Sequence, residues 1–340
     1  MAAGDPSPDQ LDLFAPPAAP AGAATRHAGV GAATPSAEDL ELGRRLPRTL
    51  YLGGSTWSFP GWQGLVYDRP YTESRLARDG LAAYSRHPLL RAAGIDRTHY
   101  RPVPAAELAR YAAAVPADFR FLVKAHEAST LVRYPDRPRY GADRGRANPL
   151  FLDPSYAAAE VVAPYVEGLG AKGAALVFQF APQQLGPPER FATALHEFLA
   201  ALPRGPLYAV ELRNRELLTA DLAAALAAAG ACACLNVHPR MPDVRLQARL
   251  TGAATAAAPW TLLRWLLPRD LTYAEASRRF APFNRLAAPD PAARQAILEL
   301  ARQTLGAGRA FLATVNNNAE GCAPLSIEAL AREWAAEPPA

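Results

Sequence analysis

Lysine is nearly missing from this chain. Of its 36 lysines and arginines only Lys124 and Lys172 are lysine. Arginine is the default cation, so each lysine marks a position where a compact point charge with a movable pKa replaces a planar, permanently charged guanidinium. Cysteine is scarce as well, with Cys232, Cys234 and Cys322 alone. An odd count without zinc spacing excludes a disulfide framework, and Cys232 and Cys234 lie two apart on one apolar run, too constrained to bond each other; a reducing cytoplasm fits this usage. Six histidines form no His-x-x-x-His pair. No apolar run approaches the roughly 18 residues of a membrane helix, and the start of the chain lacks a basic stretch followed by an apolar one. The expectation is a soluble cytoplasmic protein. A formal net charge of +4 and a pI near 9.0 permit anionic partners without requiring them.

What remains is ordinary globular composition, half hydrophobic and one fifth charged over 340 residues. That length suits one large domain and a tail. Residues 1–48 are rich in Ala, Pro, Gly and Asp without a period of 2 or 3.6, which predicts a disordered tail, and residues 49–340 read as a single folded domain. In the domain, strand-length apolar runs open at Leu50, Ala93, Phe119, Ala174, Leu207, Ala231, Trp260 and Ala310. Helical stretches lie between them, such as Pro104 to Ala114, Pro154 to Leu169, Glu189 to Leu202, Ala220 to Ala229 and Pro291 to Leu305, three of them with proline where a first turn accepts it. Eight strands alternating with helices predict an α/β fold, a TIM-type (β/α)8 barrel. An open doubly wound sheet is the alternative, but no glycine-rich phosphate turn with the right spacing follows the first strand.

A barrel of this kind carries its chemistry at the C-terminal strand ends. Those ends hold Trp57 with Trp62 in the first loop, Asp96, Thr98, His99, Tyr100 and Arg101 after the second strand, and Lys124 and His126 on the third. Gln179 follows on the fourth, Glu211, Arg213 and Asn214 on the fifth, Asn236 and His238 on the sixth, Arg264 on the seventh, and Asn316 to Asn318 on the eighth. Glu211 and Arg213 share one strand face. One reading makes Glu211 a general acid or base, Lys124 a catalytic cation and the arginines a clamp for carboxylate or phosphate. The blander reading makes them an ion-paired group that only satisfies the barrel mouth. Trp57, Tyr100, Gln179, Asn236, Asn316 and Asn317 are the expected substrate contacts. No cofactor is identified; a divalent metal is possible, with His99, His126 and His238 as weak candidate ligands.

The loop from Glu127 to Asp153 interleaves Arg133, Arg137, Arg139, Arg144 and Arg146 with Tyr134 and Tyr140. Such a loop suits phosphate contacts and base stacking on a nucleic acid, or else forms a solvated lid with local pairs to Asp136 and Asp143.

Together, Leu52-Gly53, Trp57, Trp62, Gly64, Tyr67, Thr98 with Tyr100, Phe119-Arg-Phe with Lys124, Phe178-Gln179 with Pro182, Ala209 to Arg213, Arg264 with Tyr273, and Asn316-Asn317 with Gly321 and Ala323 resemble the YecE-like family, domain of unknown function 72. The resemblance spans about Leu50 to Leu330. It implies a TIM-type barrel and a cluster of site residues, but no reaction, because the family's activity is not established. The chain departs from the family pattern at four places. Gly94 and Asp96 stand where Glu-x-Asn is usual, His99 replaces a phenylalanine, Asn214 replaces a histidine, and Trp265 follows Arg264 where His-Gly is expected.

In the tail, Gln10-Leu11-Asp12-Leu13-Phe14 resembles the pentapeptide by which bacterial DNA polymerases and repair proteins dock on the replicative sliding clamp. Leu13 and Phe14 would fill one apolar pocket, Leu11 a neighbouring one, and Gln10 would hydrogen-bond beside them. The expectation is therefore a DNA-directed, repair-associated barrel, nuclease- or hydrolase-like, tethered to the clamp. The alternatives are an enzyme for a small phosphorylated or carboxylated metabolite, and a non-catalytic clamp-associated adaptor.

Overall fold

The computed structural model describes residues 29–336. Eight parallel strands close into a barrel in sequence order: β1 Leu50–Gly54, β2 Ala92–Ile95, β3 Arg120–Lys124, β4 Gly173–Phe180, β5 Tyr208–Leu212, β6 Cys232–Val237, β7 Trp260–Trp265 and β8 Ala310–Val315. The expected TIM-type barrel is the fold observed.

Strand alternation builds two separate cores. Leu122, Val177, Ala209, Cys234, Leu262 and Leu312 point into the barrel and pack on one another. Their neighbours Phe121, Val123, Phe178, Val210, Leu235, Leu263 and Ala313 point outward and pack under the helices. Two residues further along each strand, the inward parity falls on Lys124, Gln179, Glu211, Asn236, Arg264 and Thr314. The barrel interior is thus apolar below and polar at its C-terminal mouth.

Strands β1 and β2 approach closely. A Cβ on Gly53 would sit 1.7 Å from the Ala92 carbonyl oxygen, and one on Gly94 would sit 2.6 Å from that of Ser55. Only glycine fits either position. The Gly94 position, where the resemblance implies a glutamate, has no room for a side chain here.

Two expectations need correction. The folded body begins before residue 49: a helix runs over Ala37–Arg45, inside the stretch read as a disordered tail. Ser36 and Asp39 cap it reciprocally, and Leu42 and Leu46 bury against the barrel. Arg91 donates to the carbonyls of Pro47 at 2.9 Å and Gly43 at 2.5 Å, which fixes the helix end. Residues 1–28, and with them Gln10, Leu11, Leu13 and Phe14, lie outside the described residues. The single helix expected over Pro154 to Leu169 is interrupted by a π-helical turn at Ala158–Val162. Pro164 has no N–H to give, and the turn before it widens so that the Ala163 N–H reaches the Ala158 carbonyl.

Candidate functional site at the barrel mouth

Asp96, Lys124, Glu211, Arg213 and Arg264 meet at the mouth. Glu211 is fully buried. Its Oε2 accepts from Arg264 Nη1 at 2.9 Å, and its Oε1 ion-pairs with Arg213 Nη2. Burial pushes the Glu211 carboxyl up, but Arg213, Arg264 and Lys124 together outweigh it and hold the group at about 2. It therefore carries no proton to give at neutral pH and is a weak base.

Arg264 is saturated from the other side by Asp96, whose two oxygens accept from Nη2 at 3.1 and 2.8 Å. Burial opposes the Arg264 charge, and the Asp96 and Glu211 carboxylates more than compensate and raise its pKa. Asp96, just past the end of β2, thus supplies a carboxylate to the mouth.

Lys124 is different. It is 7% exposed, and the carboxylate nearest its Nζ is Asp96 at 3.8 Å, beyond hydrogen-bonding distance. Burial lowers its pKa, the Asp96 charge only partly offsets that, and it settles at about 8. Three cations surround two carboxylates here, so the mouth carries one unbalanced positive charge, and Lys124 bears it.

Gln179 stands beside Glu211 in register, and Asn236 beside Arg264. The Asn236 amide donates to the Leu212 carbonyl at 3.2 Å, while its Oδ1 is buried without a partner. Other expected contacts hold the fold instead. Asn317 Oδ1 accepts from the Trp62 indole at 3.1 Å and from the Ala323 N–H at 2.8 Å, pinning the first loop to the start of the last helix. Asn316 caps the following turn through the Asn318 N–H at 2.9 Å. Trp57 is buried beside the mouth with Tyr111 packed edge-on at 5.1 Å.

The three histidines do not converge on one point. His99 Nδ1 donates to the Ala125 carbonyl at 3.2 Å, His126 shares a hydrogen bond with the Tyr156 hydroxyl, and His238 Nδ1 accepts from the Arg240 N–H at 3.2 Å. Burial pushes His126 down to about 4 and His238 to about 3, the latter helped by Arg213. Among the described residues no group of three or more His, Cys, Asp or Glu side chains is placed to hold a metal ion.

The 127–153 loop is anchored on Glu127, which sequence reasoning passed over. This buried carboxylate accepts from Arg139 and from the Tyr140 hydroxyl, both at 2.9 Å, and the Arg139 guanidinium lies 5.2 Å from the Tyr100 ring centre. Arg139 therefore holds the loop over the mouth. Arg133, Arg144 and Arg146 are exposed, and Arg144 faces Asp136 at 3.5 Å.

A parallel eight-stranded barrel with a charged C-terminal mouth defines the class as TIM-type. The family described as "Protein of unknown function DUF72" matches residues 51–340, and the chain belongs to that family. A DUF72 family protein from Enterococcus faecalis has a similar solved structure, with a TM-score of 0.56 at 17% identity over 85% of this chain and 96% of the other. One from Thermotoga maritima gives 0.52 at 16% identity over 85% of this chain and 99% of the other. At that identity the likeness speaks for the fold alone. No curated protein matches the chain. Among the described residues no helix is long and apolar enough to cross a membrane.

Proposed function

We propose that the barrel mouth is an active site for a small substrate carrying a carboxylate or phosphate group, with Lys124 as its working residue. Asp96, Glu211, Arg213 and Arg264 form the frame that positions it. The observation that carries this reading is the contrast between Lys124, with no carboxylate inside hydrogen-bonding distance, and the two arginines, both tied to carboxylates. An ammonium so placed attracts an anionic group, and a pKa of about 8 lets it exchange a proton close to neutral pH. Glu211, expected to transfer the proton itself, acts in this reading by holding the two arginines.

The test is thermal unfolding with inorganic phosphate, pyrophosphate and a set of small carboxylates. At about a hundredfold excess over Kd, a bound anion stabilises wild type by about 2.7 kcal/mol, and Lys124→Met abolishes the effect. Equal stabilisation of both proteins, or of neither, overturns the reading.

DNA is the second reading, favoured by the exposed Arg133, Arg144 and Arg146 on the loop beside the mouth. In it the Gln10 to Phe14 segment docks the barrel on a sliding clamp. Single-stranded DNA binding that weakens steeply with salt supports it. So does specific binding of labelled residues 1–25 to a bacterial clamp that is lost on replacing Leu13 and Phe14 by alanine. Absence of both removes it.

A further inference from the structure

A cavity of about 520 Å³ lies beside the mouth, between the loop after β1, the helix Glu73–Asp79 and the helix Ala105–Ala113. It shares one wall residue, Asp96, with the charged cluster and does not include Lys124. Ala77, Leu81, Ala82 and Ile95 give it apolar sides. A volume of this order takes a molecule of sugar or nucleoside size.

Besides Arg97 Nε, whose guanidinium is held through Nη1 by Tyr111 and Glu107, two polar atoms of residues in this wall have no partner. Trp57 is 4% exposed, and its indole Nε1–H is buried without an acceptor. The Tyr111 ring fixes the indole at an interplanar angle of 71°. Glu73 Oε1 is likewise buried without a donor. The other acids lining the cavity are occupied: Asp96 by Arg264, Glu107 by Arg97, and Asp79 by Arg75. A buried indole N–H and a buried carboxylate oxygen are groups that folded proteins seldom leave unmatched. The residues that carry them, one a donor and one an acceptor, line the same cavity.

We propose that this cavity is a binding site for a small organic molecule that presents an acceptor to the Trp57 indole and an N–H or O–H donor to Glu73, beside an apolar face that lies on Ala77 and Leu81. An amino sugar or a nucleobase carries both groups at neighbouring positions. The site is independent of the anion proposed at the mouth.

The experiment follows the indole N–H resonances of the full chain by NMR, with Trp57 assigned through Trp57→Phe, during titration with glucose, glucosamine, adenosine and guanosine. At least one probe is expected to move the Trp57 resonance saturably, and to do so equally in Lys124→Met, which separates this site from the mouth. Glu73→Ala is expected to weaken that probe about tenfold, and Ala77→Trp to block it. If no probe moves the Trp57 resonance, or if the titration is unchanged in both Glu73→Ala and Ala77→Trp, the proposal is wrong.

Discussion

Two of the groups of buried charge among the described residues are built on opposite principles. At the mouth, three cations surround two carboxylates. Under the last helices, Arg294 stands between two carboxylates, reaching Glu320 at 2.7 Å and Glu333 at 2.6 Å. Glu320 is fully buried and also accepts the Asp290 N–H at 2.6 Å, while its backbone carbonyl accepts from Ala287 and Ala288. That second group stitches a loop to a helix and leaves its cation saturated. Burial of charge is common to both and so does not mark a functional site. What separates them is a cation without a close partner, placed where a TIM-type fold opens to substrate.

The largest effects come from breaking a saturated pair. Arg294→Met leaves Glu320 buried and uncompensated, and Glu211→Gln does the same to Arg213, while Arg264 keeps Asp96. Each is expected to lower stability by about 3–5 kcal/mol, read as a shift of the urea midpoint at unchanged slope. A loss under about 1 kcal/mol in either would mean that solvent already screens that group, and the comparison would collapse.

Removing the unbalanced cation is expected to have the opposite sign. Lys124 titrates at about 8 in the fold and near 10.4 in an unfolded chain. Between those values the unfolded state binds more protons, so stability rises with pH through that window, and the full penalty is present below pH 8. Lys124→Met keeps the apolar stem and removes the charge, which should stabilise the protein at pH 7 by about 1–3 kcal/mol. The gain should vanish above pH 10.4. A destabilised variant at pH 7 would show that Lys124 is structurally paired after all.

The sequence made the barrel legible because strand parity is a local property. Leu122 with Lys124, Ala209 with Glu211 and Leu262 with Arg264 can each be read from one strand. Pairing was not legible, since Asp96 and Arg264 lie 168 residues apart and only closure of the barrel joins them. The arginine-rich loop misled for the same reason: Arg139 reads as a phosphate contact until Glu127 is seen beneath it. Asn317 reads as a substrate contact until the Trp62 indole is found against it. The helix at Ala37–Arg45 did leave a signal, Ser36 three residues before Asp39, but the alanine, proline and glycine around it hid the cap. Glu73 left none, because an isolated glutamate in the first turn of a helix looks like ordinary capping charge.

Glu73 also gives the smallest test and completes the comparison, as an anion without a cation set against a cation whose nearest carboxylate stands at 3.8 Å. Burial raises it to about 7, and no cation offsets the effect. A folded pKa above the unfolded value means that the folded state holds more protons between roughly pH 4.3 and pH 7. Stability therefore falls as pH rises through that window, and the penalty is complete above it. Because the side chain is only half buried, solvent screening limits the effect to less than about 1 kcal/mol. Glu73→Gln should then melt slightly higher than wild type at pH 8 and together with it at pH 4. The pH dependence runs opposite to that of Lys124→Met, whose advantage is lost on going to high pH. A Glu73→Gln difference that stayed constant with pH would mean that the carboxyl meets solvent freely, and Glu73 would then lose its place as the acceptor in the neighbouring cavity.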